Sequence, residues 1–210
     1  MTRRSAATVV AVTCWTGLAL QVVTSVLRSQ LNGTSVLHGF WLLVGYFTIT
    51  TNVIVAVLFT IVARSRPGRM TEWASRPGVL SATTIHILFV GVAYSVLLRS
   101  TYHPKGLSIV ADELVHDVVP LLVLLFWWQF VPKGTLAFSQ LVTWLGYPSL
   151  YLVYSLGRGA AEGWYPYFFL DVSKLGYPVV AQVSGMITAA LAVMSAILIA
   201  VDRRLVPART

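Results

Sequence analysis

Residues 40–63 read FWLLVGYFTITTNVIVAVLFTIVA, an apolar run without a single charge. A helix needs about 20 mainly apolar residues to cross the hydrocarbon core of a bilayer, and this run supplies them. Five more mainly apolar runs lie along the chain, at about residues 6–27, 79–98, 110–131, 136–156 and 177–201. The breaks between them carry turn-forming residues: Asn32-Gly33, Arg66-Pro67-Gly68, Arg76-Pro77-Gly78, His103-Pro104, Pro132-Lys133-Gly134 and Gly157-Arg158-Gly159. Composition agrees: of 210 residues 57% are hydrophobic and 10% charged, against roughly 25% charged in a soluble domain. A chain this apolar has too little polar surface to cover its own core in water. The expectation is an all-α integral membrane protein, a six-helix transmembrane bundle forming one domain over residues 1–210. The first run is too long for the roughly 7–15 apolar residues of a signal peptide and no small-x-small cleavage site follows it, so it is predicted to be retained.

The net charge of +8 would suggest nucleic acid in a soluble protein, but its distribution gives a different meaning. Counting alternate breaks, one side of the bundle carries Arg3, Arg4, Arg64, Arg66, Arg69, Arg76, Lys133, Arg203, Arg204 and Arg209 against Glu72 and Asp202. The other carries Arg28, Arg99, Lys105, Arg158 and Lys174 against Asp112, Glu113, Asp117, Glu162 and Asp171. The basic side reads as cytoplasmic. Both termini are therefore predicted to be cytoplasmic, in a multi-pass protein of the cell (plasma or inner) membrane whose partners are membrane lipids rather than nucleic acid. The single cysteine, Cys14, lies in an apolar run and has no partner for an internal disulfide.

Polar side chains inside apolar helices are costly and tend to mark function, although neutral ones often serve as helix–helix glue. In the second run Thr48, Thr51 and Asn52 fall at i, i+3 and i+4 on one helix face. That face either lines a polar site with Thr48 as a nucleophile, or hydrogen-bonds to a neighbouring helix. The fourth run opens Asp112-Glu113-Leu114-Val115-His116-Asp117-Val118-Val119-Pro120. Asp112 and Glu113 stand four and three residues before His116, close enough to orient an imidazole. Pro120 has no N–H, so the carbonyl four residues earlier loses its helical donor. The cluster reads either as a wet pocket near the outer end of the helix or as acidic capping of its N-terminus. Thr48 and His116 lie at similar predicted depths and can meet if the second and fourth helices are neighbours.

Elsewhere the signals are weaker. His86 reads as a packing histidine, and His38 and His103 as solvated loop residues. The four histidines show no paired-ligand pattern for haem and no zinc-protease motif, so neither metal nor other cofactor is expected. Ser184-Gly185 lacks the preceding glycine of an intramembrane serine protease motif, since position 182 is Gln182. Arg158 and Glu162 are spaced to pair on a helix, but Gly157 and Gly159 argue that the helix has ended.

Taken together, these segments resemble the androgen-induced family of six-span membrane proteins, especially its bacterial branch. The resemblance rests on Tyr46-Phe47-Thr48-Ile49-Thr50-Thr51-Asn52, on His116-x-x-x-Pro120 followed by Trp127, and on a long third stretch. That stretch runs from Tyr147-Pro148 and Tyr151 through Arg158-Gly159 and Gly163-Trp164-Tyr165-Pro166-Tyr167 to Phe169-Leu170-Asp171. Animal members are intramembrane hydrolases of fatty-acid esters of hydroxy fatty acids. They use a threonine of the second span and a histidine of the fourth, which map here to Thr48, with Thr50 and Thr51 as close alternatives, and to His116. Asp117 departs from the animal motif, so fold and pair carry over more readily than the substrate. The resemblance implies a lipid-ester hydrolase with a Thr48 nucleophile and a His116 base. Asp112 or Glu113 would hold the imidazole, Asp117 would support the site, and Asn52 would serve as an oxyanion donor. The alternatives are a small transporter or lipid-binding bundle without hydrolytic activity, or a scaffold whose polar face packs dry.

Overall fold

The protein's structure, a computed structural model, describes residues 1–205. Arg209 lies outside the described residues. The described residues form helices joined by turns and loops, without strands. Four helices are long and apolar enough to cross a membrane: Arg3–Leu31, Phe47–Arg64, Pro77–Leu98 and Val172–Arg204. They overlap the first, second, third and sixth predicted runs. The chain divides into two compact units, Met1–Pro132 and Lys133 onward.

The first unit opens with α1 (Arg3–Leu31), capped by Thr2, whose Oγ1 accepts a hydrogen bond from Ser5 N–H at 3.1 Å. A turn through Gly33, at φ +70°, leads to the short α2 (Val36–Leu43), capped by Ser35. Residues 40–63 are therefore not one helix. The chain tightens at Gly45 and Tyr46, whose N–H groups reach back three residues to Leu42 and Leu43 (3.0 and 3.1 Å). Tyr46 is extended and α3 (Phe47–Arg64) starts afresh behind it. This break corrects the predicted depth of Thr48, which is the second residue of α3 rather than close to the middle of a span.

A short α4 (Arg69–Ala74) precedes α5 (Pro77–Ala93), with Pro77 in its first turn, where no N–H is needed. Both α5 and the next helix contain a π-turn, a wider turn closed by i→i+5 bonds. The first is Tyr94–Leu98 at the end of α5. The second, Leu114–Val118, joins α6 (Leu107–Glu113) to α7 (Val119–Phe130). The predicted fourth run is thus helical from residue 107 to 130, but its register shifts at His116.

Inside this unit α1 packs on α3, and α3 and α7 pack on α5. The buried face of α1 is built of small residues, Ala6, Ala7, Ala11, Cys14 and Gly17, with Val10 and Leu18. Such residues let helix backbones approach closely, as in membrane bundles. Trp127 of α7 is buried and donates its indole N–H to Ser81 Oγ at 2.7 Å, tying α7 to α5. Large apolar side chains face outward instead: Val9, Val12, Val57, Leu121, Leu125 and Trp128 are all exposed. An outer surface of this kind is unfavourable in water and suits a lipid environment.

The second unit contains α8 (Gln140–Glu162), a 3₁₀ turn (Phe168–Leu170) and α9 (Val172–Arg204), with α8 packed on α9. The glycines at 157 and 159 do not end α8, contrary to expectation. Arg158 Nε binds Glu162 Oε2 at 3.0 Å one turn on, and the guanidinium lies 4.8 Å from the Trp164 ring centroid. The helix stops instead at Gly163, in the left-handed region at φ +71°. Gly176 (φ +75°, ψ 157°) interrupts α9, so its long continuous part begins near Tyr177, where the predicted run begins. At the far end of α9 the fully buried Asp202 closes the loop before α8: its Oδ2 accepts the N–H groups of Thr135 and Leu136, both at 3.0 Å.

Candidate active site

Thr48 and His116 meet. Thr48 Oγ1 lies 3.3 Å from His116 Nε2, and both residues are buried, 9% and 8% exposed. On the other side of the ring, His116 Nδ1 lies 3.1 Å from the Asp112 carbonyl oxygen and 3.1 Å from Asp112 Oδ1. Of the two, only the carbonyl is a hydrogen-bond partner; Asp112 Oδ1 has none. A carbonyl can only accept. Nδ1 therefore carries the proton in the neutral ring, and Nε2 turns its lone pair toward the threonine hydroxyl.

Thr50 takes another role. Thr50 Oγ1 bonds back to Phe47 O at 3.1 Å, within its own helix. Thr51 is buried one turn beyond Thr48. The predicted face of Thr48, Thr51 and Asn52 is the buried face of α3.

The three acids around His116 divide. Asp112 serves the imidazole. Asp117 accepts Arg99 Nη2 at 2.6 Å on both oxygens, and Glu113 Oε1 lies 3.6 Å from Arg99 Nη1. The hydrogen bond to Asp117 raises the Arg99 guanidinium above its ordinary value, with Glu113 adding to it. Glu113 is thus directed away from the imidazole.

Asn52 does not offer a donor to a reacting group. Its Nδ2 donates to Thr48 O at 2.9 Å and to Val115 O at 3.3 Å, and its Oδ1 and carbonyl both face the Cys14 thiol (3.3 and 3.1 Å). The reason lies in the π-turn. A further i→i+5 bond from the Val115 carbonyl would need an N–H on Pro120, which has none. The side chain of Asn52, from another helix, supplies that donor. The predicted orphan carbonyl at His116 faces Gly91 instead: a Cβ on Gly91 would lie 2.7 Å from His116 O.

Two contributors were not anticipated from the sequence. Tyr94 is buried, 4% exposed, and its ring stacks on the His116 imidazole with centroids 3.8 Å apart and planes 12° from parallel. Its hydroxyl donates to Asp112 Oδ2. Arg99 follows five residues later and bonds its N–H to Tyr94 O at 2.8 Å, so the π-turn carries its guanidinium to 5.0 Å from the Tyr94 ring centroid. The remaining histidines stand apart: His86 is buried in α5, while His38 (in α2, not a loop) and His103 are exposed. Among the described residues no group of three His, Cys, Asp or Glu side chains is arranged to hold a metal ion. Compared with protein-family models, curated proteins and solved structures, the chain matches none.

Proposed function

We propose that this protein is an intramembrane hydrolase of lipid esters, with Thr48 as nucleophile, His116 as general base and acid, and Asp112 holding the imidazole. The observation that carries the reading is the continuous contact from Thr48 Oγ1 through His116 to Asp112. It has the nucleophile, base and orienting group of acyl-transfer sites. The same pair is the one implied by the resemblance to the androgen-induced family.

In this mechanism Nε2 takes the Thr48 hydroxyl proton as Oγ1 attacks the ester carbonyl carbon. The tetrahedral intermediate collapses, the alcohol leaves with the proton from Nε2, and an acyl-threonine remains. Water, deprotonated by the same nitrogen, then releases the acid and restores the threonine. With Asn52 committed elsewhere, the donor assigned to the developing oxyanion in this reading is the Thr48 N–H. As the second residue of α3 it has no acceptor within its own helix. The test uses purified protein in lipid nanodiscs with a long-chain ester and a fluorophosphonate probe. Ester turnover is expected, with the probe recovered by peptide mass spectrometry on Thr48. Absence of turnover, or turnover with no label on Thr48, overturns the reading.

The proposal includes six crossings with both termini cytoplasmic, in the cell membrane. Two crossings beyond the four apolar helices are assigned to residues 107–130 and to α8, and the ten-to-two basic excess on one side supports the orientation. Cys14 is buried, so added cysteines can be read against a silent background. Lys105→Cys is expected to react with an impermeant maleimide in intact cells, and Met70→Cys only in inverted vesicles. The reverse pattern rejects the orientation.

A further inference from the structure

We infer that Tyr94 is a positioning residue of this site, setting His116 with its ring and Asp112 with its hydroxyl. The inference rests on the reading of Thr48 and His116 as a hydrolytic pair. A histidine base has one soft motion that matters here. Rotation about its Cβ–Cγ bond swings Nε2 away from the nucleophile without breaking any covalent constraint. The stacked Tyr94 ring, 3.8 Å away and 12° from parallel, covers one face of the imidazole and opposes that rotation. The Asp112 carboxylate has the same freedom about its own bonds. Oδ2 is fixed by the Tyr94 hydroxyl, which leaves Oδ1 3.1 Å from Nδ1. One buried side chain from α5 thus determines the placement of two groups on the facing helix.

Tyr94 is itself held. It opens the first π-turn, and its carbonyl accepts the Arg99 N–H at 2.8 Å. The Arg99 guanidinium sits 5.0 Å from its ring centroid and forks onto Asp117, directly after His116 in sequence. That ion pair ties the end of the first π-turn to the second. The two wide turns meet at the imidazole, with Tyr94 from one stacked on His116 from the other. Irregular turns of this kind inside otherwise regular helices are frequent at functional sites.

A tyrosine that merely fills space predicts something different from one that positions. Tyr94→Phe keeps the ring and removes only the hydroxyl; Tyr94→Leu removes both contacts. For Tyr94→Phe the expected result is a fall in kcat of about 10–100-fold, the scale of a small misplacement of a catalytic group, with KM within about twofold. Melting temperature should stay close to the parent. In an Asp112→Asn background the same change should add little, because Tyr94 acts through Asp112. The stack has its own marker, independent of turnover. In histidine-labelled protein the His116 ring protons should be ring-current shifted in the parent and in Tyr94→Phe, and not in Tyr94→Leu.

If the parent hydrolyses ester and Tyr94→Phe leaves kcat unchanged, or changes KM alone, positioning by Tyr94 is overturned while the hydrolase reading stands. The same holds if the loss is equally large in the Asp112→Asn background. If the parent neither turns over ester nor labels at Thr48, the hydrolase reading fails and takes this inference with it, whatever the ring-proton shifts show.

Discussion

His116→Ala is expected to slow lipid-ester turnover by about 10²–10⁴-fold, the usual contribution of a positioned general base. Thr48→Ala should lose at least as much, together with all probe labelling. The reason is in the chemistry of the pair. A threonine hydroxyl is a poor nucleophile until its proton is taken, and the only base contacting Oγ1 among the described residues is His116 Nε2 at 3.3 Å. Removal of either partner ends the covalent route, so the double variant should be no slower than the slower single one; groups that act as a unit are grossly non-additive. Thr48→Ser is the informative control. It keeps the oxygen and loses one methyl group, and should retain most of the labelling. Thr50→Ala should be close to the parent, since the Thr50 hydroxyl is turned back on its own helix. Thr48→Ala removes one side-chain hydrogen bond, about 0.5–1.5 kcal/mol, so that variant should remain folded and its kcat can be read directly. Full turnover in Thr48→Ala and His116→Ala would end the mechanism.

The parts of this fold that were legible in the sequence are those set by local hydropathy. A run of apolar residues long enough to cross a bilayer forms a helix almost regardless of context, because its backbone groups have no other partner in lipid. The runs containing α1, α3, α5 and α9 behave so. The break within residues 40–63 is different. Gly45 is its only local mark, in a run that exceeds what one crossing needs, and hydropathy averaged over about 19 residues smooths it away. The consequence reaches the site, because the break places Thr48 in the first turn of α3, beside helix N–H groups, rather than deep in a span.

The site was legible in its residue types but not in all their partners. Asp112, His116 and Pro120 announce a disturbed turn by spacing alone. Spacing also suggests that Glu113 serves the histidine, and Asp117 stands beside it in sequence. What decides otherwise is Arg99, from another helix, which draws off both acids. The π-turns add one residue to a helical turn, so side chains that a 3.6 periodicity puts on different faces come together. Arg99 over Tyr94 is such a pair, five residues apart. Asn52 shows the same limit. Its position on the Thr48 face is readable, but its use on the Val115 carbonyl depends on where Pro120 leaves a donor missing in a neighbouring helix. Tyr94 reads as one more aromatic residue in an apolar run until its neighbours are known.

Gly91→Ala should damage the site most among substitutions that touch no reacting group. The new Cβ would lie 2.7 Å from the His116 carbonyl oxygen and 3.4 Å from Pro120 Cγ. A backbone oxygen inside a helix cannot swing aside as the end of a side chain can, so α5 must retreat or the second π-turn must shift. Overpacking of this kind typically costs about 1–3 kcal/mol, and contact with rigid backbone puts it at the upper end. The movement is also directed at the chemistry. It separates α5, which carries Tyr94, from the turn that carries His116, and so loosens the stack, the Asp112 contact and the approach of Nε2 to Thr48 together. A displacement near 1 Å in such a group is worth up to about 100-fold in rate. Gly91→Ala is therefore expected to lower the melting temperature by several degrees and the rate of Thr48 labelling by one to two orders of magnitude. Gly146→Ala is the matched control, since a Cβ there meets nothing within 4 Å. Within a helix it should be neutral, or stabilising by up to about 1 kcal/mol. Equal behaviour of the two alanine variants would mean that the close approach of α5 to the His116 carbonyl does not set the site.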